Sequence, residues 1–247
     1  MKKQFWEDWK RKSKIELEAI KNIKKTLGQI VKEAPKEEII SVYIKGSFIR
    51  REMNKKSDVD VVLALKTRKY LEKLRKLKKP LEDLEPPISL GIITYRELTS
   101  GKRINPGKKA GSIGRFNSNL PYFRLVYGKP LDQSKLSCRS NESMLKGMIG
   151  AFNKMFIPGY KCGEFSFDLI VKQVFFLVES SQRVQGKNPP HSFRGIAKSI
   201  KTPNHIIHDT LELRKNSMKD GKVRSAYIRK LKRYLKELEK KHKGDIQ

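Results

Sequence analysis

Cysteine, acidic residues and long apolar runs are all scarce in this chain of 247 residues. Its only cysteines, Cys138 and Cys162, are too few for a disulfide scaffold, and we expect both to be reduced thiols. No apolar run approaches the roughly 18 residues that cross a bilayer, which argues against an integral membrane protein. The first residues, MKKQFWEDWKRKSK, lack the apolar centre of a secretory signal, so we expect a cytoplasmic protein.

The shortage of acidic residues leaves a large positive charge. Lysine and arginine number 56 against 26 aspartates and glutamates, giving a net charge of +30. This charge favours polyanionic partners such as nucleic acid or nucleotides, although a general lysine bias with solvated faces explains the same numbers. Hydrophobic residues still make up 37% of the chain, so it can bury a core and is not a disordered basic tail.

Hydrophobic periodicity divides the chain into two regions. The first contains four short apolar runs that we predict to be strands, at residues 39–44, 58–65, 88–94 and 122–127. Helical spacing precedes them over residues 3–34, and a basic helix over 71–79, ended by Pro80, separates the second and third. We therefore predict an α+β fold, with a small mixed sheet and flanking helices.

Beyond about residue 136 the strand signals stop and only helical patterns remain. This change of pattern predicts a sheet-containing domain over residues 1–135 and an all-helical C-terminal domain over residues 136–247. In the last predicted helix, Tyr227 and Tyr234 alternate with lysine and arginine. That arrangement suits nucleic-acid binding, but an apolar seam with a solvated basic face explains the same residues and is the favoured interpretation.

The residues that can carry chemistry lie in the stretch 44–65, IKGSFIRREMNKKSDVDVVLAL. One predicted strand ends at Gly46-Ser47, a turn that offers backbone N–H groups and a hydroxyl to phosphate oxygens. Asp58 and Asp60 lie on the next predicted strand and share one face, because strand side chains alternate. Paired carboxylates repel unless a cation lies between them, and Mg²⁺ prefers such hard oxygen ligands.

This stretch resembles the signature of the DNA polymerase β-like nucleotidyltransferase superfamily: a hydrophobic strand, Gly-Ser, a spacer and Asp-x-Asp within a strand. Its form, GSxxR followed by SDxDxxL, is most similar to minimal and antibiotic nucleotidyltransferases. The resemblance implies that Asp58 and Asp60 hold two Mg²⁺ ions and act in catalysis. It also implies that Gly46 and Ser47 bind the phosphates of an NTP, and that Arg50 offsets charge on the leaving pyrophosphate.

The C-terminal region is similar in its order of helices to the helical domain of aminoglycoside nucleotidyltransferases. In that family the helical domain covers the cleft and helps to bind the acceptor. Together the two resemblances cover about 200 residues, but only the first has specific motif residues.

One position departs from the superfamily pattern, which usually supplies a third carboxylate from a later strand. Here the cleft-facing residue of the strand at 88–94 is predicted to be Ser89, which cannot replace a carboxylate as ligand or general base. Glu85 and Glu97 flank this strand, but at the wrong phase or distance. A relocated acid is one explanation: Glu164, Asp168 or Glu179 could project from the helical domain, and a structure could still bring Glu97 close. A weakened or inactive site is the other.

The sequence thus predicts a Mg²⁺-dependent nucleotidyltransferase that moves an NMP, AMP from ATP in the favoured case, to a hydroxyl and releases pyrophosphate. The acceptor stays open between RNA, a protein and a small molecule such as an aminoglycoside. The positive charge favours RNA, whereas the helical domain favours the antibiotic enzymes. The alternative function is a catalytically weakened module of the same fold that binds nucleic acid or a partner protein.

Overall fold

The computed structural model describes residues 3–104, 112–216 and 220–243. The chain forms two compact units, Met1–Arg139 and Ser140–Gln247. The first is α+β and the second is helical, so the predicted fold class is confirmed. Within the described ranges, no helix combines the length and hydropathy that crossing a bilayer requires.

A mixed sheet of four strands organises the N-terminal unit, in the order β3-β2-β1-β4. The strands are β1 (Ile39–Lys45), β2 (Val59–Leu65), β3 (Ile88–Thr94) and β4 (Arg124–Gly128). Strand β1 pairs antiparallel with β2 and β4, whereas β2 and β3 are parallel. The helices are α1 (Lys14–Glu33), α2 (Ser47–Arg50), α3 (Leu71–Lys76), α4 (Lys78–Glu82), α5 (Tyr95–Ser100) and α6 (Ile113–Ser118).

The two faces of this sheet are buried to different extents. One face carries Val42, Val61, Leu63 and Leu90 into a large cluster with the apolar side of α1. The other face carries Tyr43, Val62 and Ile93 into a smaller cluster with α5 and α6. Along this second face, the residues at one end of β1, β2 and β3 are polar rather than apolar. The sheet therefore presents a row of polar side chains at that end.

The sequence predictions need correction at several places in this unit. The first helix begins at Lys14 rather than residue 3, because Phe5, Trp6 and Trp9 form a separate aromatic cluster around Phe48. Pro80 does not end a helix but lies in the first turn of α4, where its missing N–H costs no intrahelical bond.

A further correction concerns residues 101–115, whose four glycines and one proline predict a loop. Part of this segment lies outside the described residues, but α6 already begins at Ile113, with Ser112 as its N-cap. The cap bonds the Ser112 hydroxyl to the backbone N–H of Arg115 and fixes the start of the helix.

The C-terminal unit is built around the long central helix α9 (Phe167–Val184). The other helices are α7 (Asn141–Ala151), α8 (Ile157–Lys161), α10 (Phe193–Ser199), α11 (Ile206–Lys215) and α12 (Gly221–Lys243), with a π-helical segment at Phe152–Phe156. Its core includes Phe152, Phe175, Phe193 and Leu231. Both cysteines of the chain are free and exposed.

Candidate functional site

The polar row crosses three neighbouring strands at one end of the sheet. Lys45 is the Cα partner of Asp60 in the antiparallel pair, and Asp60 is the partner of Ser89 in the parallel pair. Because paired residues of neighbouring strands point to the same face, the three side chains lie side by side. Ser89 thus occupies the position beside Asp60 that strand alternation predicts for it.

Asp58 lies one residue before β2 rather than within it, which corrects the predicted start of this strand. Val59 donates its backbone N–H to the carbonyl of Pro87, so the parallel ladder with β3 starts immediately after Asp58. Asp58 is exposed, whereas 29% of the Asp60 side chain is exposed. The two aspartates therefore differ in surroundings although they are separated by a single residue.

Gly46 makes room for the Asp60 carboxylate. Its φ of 84° lies in the left-handed region, which glycine adopts without strain. A Cβ built on Gly46 would lie 2.2 Å from Oδ2 of Asp60, far inside van der Waals contact. Any other residue here would push the carboxylate away. The sequence analysis explained Gly46 only as part of a phosphate-binding turn and did not predict its role beside Asp60.

Ser47 and Arg50 belong to the short helix α2, which starts directly after Gly46. The Ser47 side chain is half-buried, and its carbonyl accepts a hydrogen bond from the backbone N–H of Glu52. Arg50 is only 6% exposed, and its Nε lies 3.0 Å from a carboxylate oxygen of Glu52. The structure thus brings Gly46 and Asp60 together, and it places Arg50 in an ion pair within the unit.

Arg51, which the sequence analysis did not single out, anchors the end of α2. It has a φ of 56°, unusual for a residue with a side chain. Its guanidinium bonds both carboxylate oxygens of Glu16, at 3.0 and 3.2 Å, and lies over the ring of Trp9. Burial would raise the pKa of Glu16, but hydrogen bonds from Arg51 and Ser13 outweigh it and hold that pKa below its ordinary value.

Two of the candidates for a third acid have structural partners in the described residues. Glu97 completes the capping box of α5, bonding Thr94, and also accepts from the N–H of Ile104. Burial would raise the pKa of Glu97, yet these bonds hold it below its ordinary value. Glu179 in α9 is paired with Arg183 and His191. Glu164 and Asp168 also belong to the C-terminal unit.

The donor set suits a Mg²⁺ ion bound mainly through substrate. Two carboxylates, Asp58 and Asp60, provide hard oxygen ligands, and Mg²⁺ in such sites commonly keeps waters and binds phosphate oxygens besides one or two carboxylates. Within residues 3–104, 112–216 and 220–243, no group of three or more His, Cys, Asp and Glu side chains is placed to hold a metal. Asp58 and Asp60 therefore fit the cation only together with substrate oxygens.

The tyrosines of α12 pack inside the C-terminal unit. Tyr227 is buried, and its hydroxyl lies 2.8 Å from that of Thr210. Tyr234 is half-buried beside His205, and burial raises its pKa to about 12. The exposed side of the helix carries Arg229, Lys232 and Arg233. This arrangement favours the apolar seam with a solvated basic face over a stacking platform for bases.

Comparison with known proteins gives a family match within the N-terminal unit. Residues 21–104 match the family described as polymerase beta, nucleotidyltransferase. Among solved structures, the chain is similar to the spectinomycin adenyltransferase AAD(9) from Enterococcus faecialis, crystallised with ATP and spectinomycin, at 15% identity and a TM-score of 0.48, over 89% of this chain and 99% of that chain. No curated protein sequence matches. The match at residues 21–104 spans the Gly-Ser turn, both aspartates and Ser89, and it shows that this part of the chain is a nucleotidyltransferase domain of the polymerase β-like superfamily.

Proposed function

We propose that the protein is a Mg²⁺-dependent nucleotidyltransferase that transfers AMP from ATP to a hydroxyl group and releases pyrophosphate. The observation that carries the proposal is the approach of the Asp60 carboxylate to Gly46, at the turn that joins β1 to α2. This geometry joins a carboxylate for cation binding to a turn suited to phosphate. The match of residues 21–104 to a nucleotidyltransferase family supports the same chemistry.

We propose for the site residues the roles that the resemblance implies. Asp58 and Asp60 would hold Mg²⁺, which supplies charge stabilisation at the triphosphate. The Gly46-Ser47 turn would bind phosphate oxygens. Arg50 would offset charge on the pyrophosphate by exchanging its pairing with Glu52 for the ligand. The acceptor oxygen attacks the α-phosphorus, the bond to the bridging oxygen of pyrophosphate breaks, and the hydroxyl proton passes to solvent. Ser89 offers no carboxylate to take that proton, so we propose slow turnover.

Nucleotide transfer by two aspartate variants tests the proposal. Asp58→Asn and Asp60→Asn should each lower transfer of labelled AMP by about 10²–10³-fold, because each removes charge stabilisation in the transition state. Asp83→Asn, an exposed aspartate of the same unit, serves as the matched control. Wild-type rates in either site variant would contradict the metal assignment. Parallel assays with ATP, CTP, GTP and UTP would identify the nucleotide.

The acceptor is proposed from charge. A net charge of +30 favours RNA over a cationic aminoglycoside, and the exposed basic side of α12 provides one surface for phosphates. Supplying total RNA, cell protein and aminoglycosides separately to the labelled reaction distinguishes the three acceptor classes. Label in RNA supports this choice, and label in protein or antibiotic contradicts it. We place the reaction in the cytoplasm.

A second function is favoured by one specific observation, the serine at position 89. With Ser89 beside Asp60, the fold would serve as a nucleotide-dependent binding module with little or no transfer. Ser89→Asp distinguishes the two functions, since a carboxylate there should raise transfer by about 10²–10⁴-fold if general-base assistance is what the site lacks. A pure binding module would gain no transfer, while its affinity for nucleotide would still respond to the substitution.

A further inference from the structure

Lys45 is the one charged residue of the polar row that the proposed reaction does not use. It is the last residue of β1 and the Cα partner of Asp60 on β2. Its Nζ lies 2.7 Å from Oδ1 of Asp60, and about one third of each side chain is exposed, 33% for Lys45 and 29% for Asp60. The Lys45 ammonium is therefore already paired with the Asp60 carboxylate.

Lys45 and Gly46, at the end of β1 and directly after it, lie on either side of the Asp60 carboxylate. Oδ1 accepts from the Lys45 ammonium, and Oδ2 lies in the space that a side chain at Gly46 would fill. Lys45 thus holds one oxygen of the carboxylate, and the missing side chain of Gly46 leaves room for the other. A divalent cation that used Oδ1 would meet the ammonium at the same oxygen, and two cations that close repel each other.

We propose that Lys45 is the counter-ion of Asp60 in the cation-free protein, and that a divalent cation must displace its ammonium in order to bind. The inference rests on the proposed function, because it assumes that Asp60 binds the cation. Lysine suits this role, since its ammonium is a point charge on a flexible stem of four carbons and can move away. An ion pair that is one third exposed is also weak enough to exchange.

The consequence is a site that binds divalent cations weakly until a further negative charge arrives. Lys45 neutralises Asp60, so the nucleotide-free protein offers the cation less net negative charge than two aspartates would. The triphosphate of an NTP restores that charge. Cation binding is thereby coupled to substrate binding through one side chain.

Mn²⁺ binding to the nucleotide-free protein tests the inference without any measurement of activity. In Lys45→Met the stem is retained and the competing charge is lost, so the affinity for Mn²⁺, measured by electron paramagnetic resonance, should rise about tenfold. Lys45→Arg keeps the charge and should stay near the wild-type affinity. Lys66→Met is the matched control, because it removes the same charge just beyond the opposite end of β2.

The outcomes separate this inference from the function on which it rests. If Asp60→Asn binds Mn²⁺ as the wild type does, the cation site itself is wrong. If Asp60→Asn loses Mn²⁺ while Lys45→Met matches the wild type, the cation site stands and the counter-ion role is wrong. If Lys66→Met gains as much Mn²⁺ affinity as Lys45→Met, the effect is one of general charge and the inference is overturned. The inference is also overturned if neither the wild type nor Lys45→Met binds Mn²⁺. Circular dichroism verifies that each variant is folded.

Discussion

The two units each hold a carboxylate beside positive charge, but they do so in opposite ways. Glu179 in the C-terminal unit is only 5% exposed and is bonded by two side chains, Arg183 and His191, on α9 and on the segment before α10. Asp60 in the N-terminal unit is 29% exposed and pairs with Lys45, next to a glycine. Burial would raise the pKa of Glu179, but His191 and Arg183 outweigh it and hold that pKa below its ordinary value.

The difference separates a carboxylate that holds the fold together from one that is available to a ligand. Removing one member of a buried, hydrogen-bonded charge cluster costs folding free energy, because the remaining charges stay buried. An ion pair near the surface contributes little to stability, since water replaces either partner at small cost. Burial and number of partners thus indicate which acid serves structure and which can serve chemistry.

The largest expected effect tests this distinction directly. Glu179→Gln removes the charge that offsets Arg183 and weakens the hydrogen bond to His191, and we expect a loss of about 3 kcal/mol in the stability of the C-terminal unit. Asp60→Asn should change the stability of the N-terminal unit by less than about 1 kcal/mol. Hydrogen exchange in peptides from α9 and β2 measures each unit separately. Equal losses in the two units would remove the basis of the comparison.

An intermediate effect is expected at Gly46, where the fold of the N-terminal unit makes room for its acid. Gly46→Ala combines an unfavourable φ with a contact against Asp60, and should destabilise the unit by about 1–3 kcal/mol. Gly28→Ala is the control: nothing lies within 4 Å of a Cβ at this helical position, so we expect a gain of about 0.5–1 kcal/mol. Chemical denaturation measures the change in stability of both variants. If Gly46→Ala leaves the stability unchanged, Asp60 is free to move away.

The smallest effect concerns pH and belongs to the C-terminal unit. His205 is the N-cap of α11, where its Nδ1 accepts from the N–H of Ile207 and so must be unprotonated. Burial, followed by the charges of His208 and Lys230, lowers its pKa to about 4. Because the unfolded chain binds this proton near pH 6.5, stability should fall as pH drops from 6.5 towards 4.

The loss of stability on protonation of His205 should amount to about 1–2 kcal/mol, the range expected for a helix cap that is partly screened by solvent. His205→Asn keeps a capping side chain that does not titrate, and should flatten this part of the pH profile. Hydrogen exchange of α11 between pH 6.5 and 4 provides the measurement, after correction for the intrinsic exchange rate. An unchanged profile in His205→Asn would assign the pH dependence to another group.

The sequence predicted the arrangement of the strands around the candidate site, because local patterning decides it. Strand alternation alone placed Ser89 beside Asp60, because both strands are buried on the opposite face and a shift by one residue would bury polar groups. The Gly-Ser turn followed from the end of a β-branched run. These features depend on neighbours along the chain, which a single sequence displays.

Contacts between distant residues were not predictable in this way. The start of α1 depends on Phe48, which draws Trp6 and Trp9 into a cluster and separates them from the helix. Helical spacing alone extended the helix through these aromatic residues. The pair of Lys45 with Asp60 was missed for a related reason, since its recognition requires the strand register and not only the motif. A lysine directly before Gly-Ser was the available signal.

The register of β1 against β2 also has a consequence for how the protein folds. Lys45 and Asp60 are 15 residues apart, so their strands pair after closure of one short loop. Strand β3 requires a crossover through α3 and α4, and β4 returns to β1 from a much more distant part of the chain. We expect the turn and its carboxylate to be assembled while the edges of the sheet are still unformed, an order that pulse-labelling of amides during refolding would reveal.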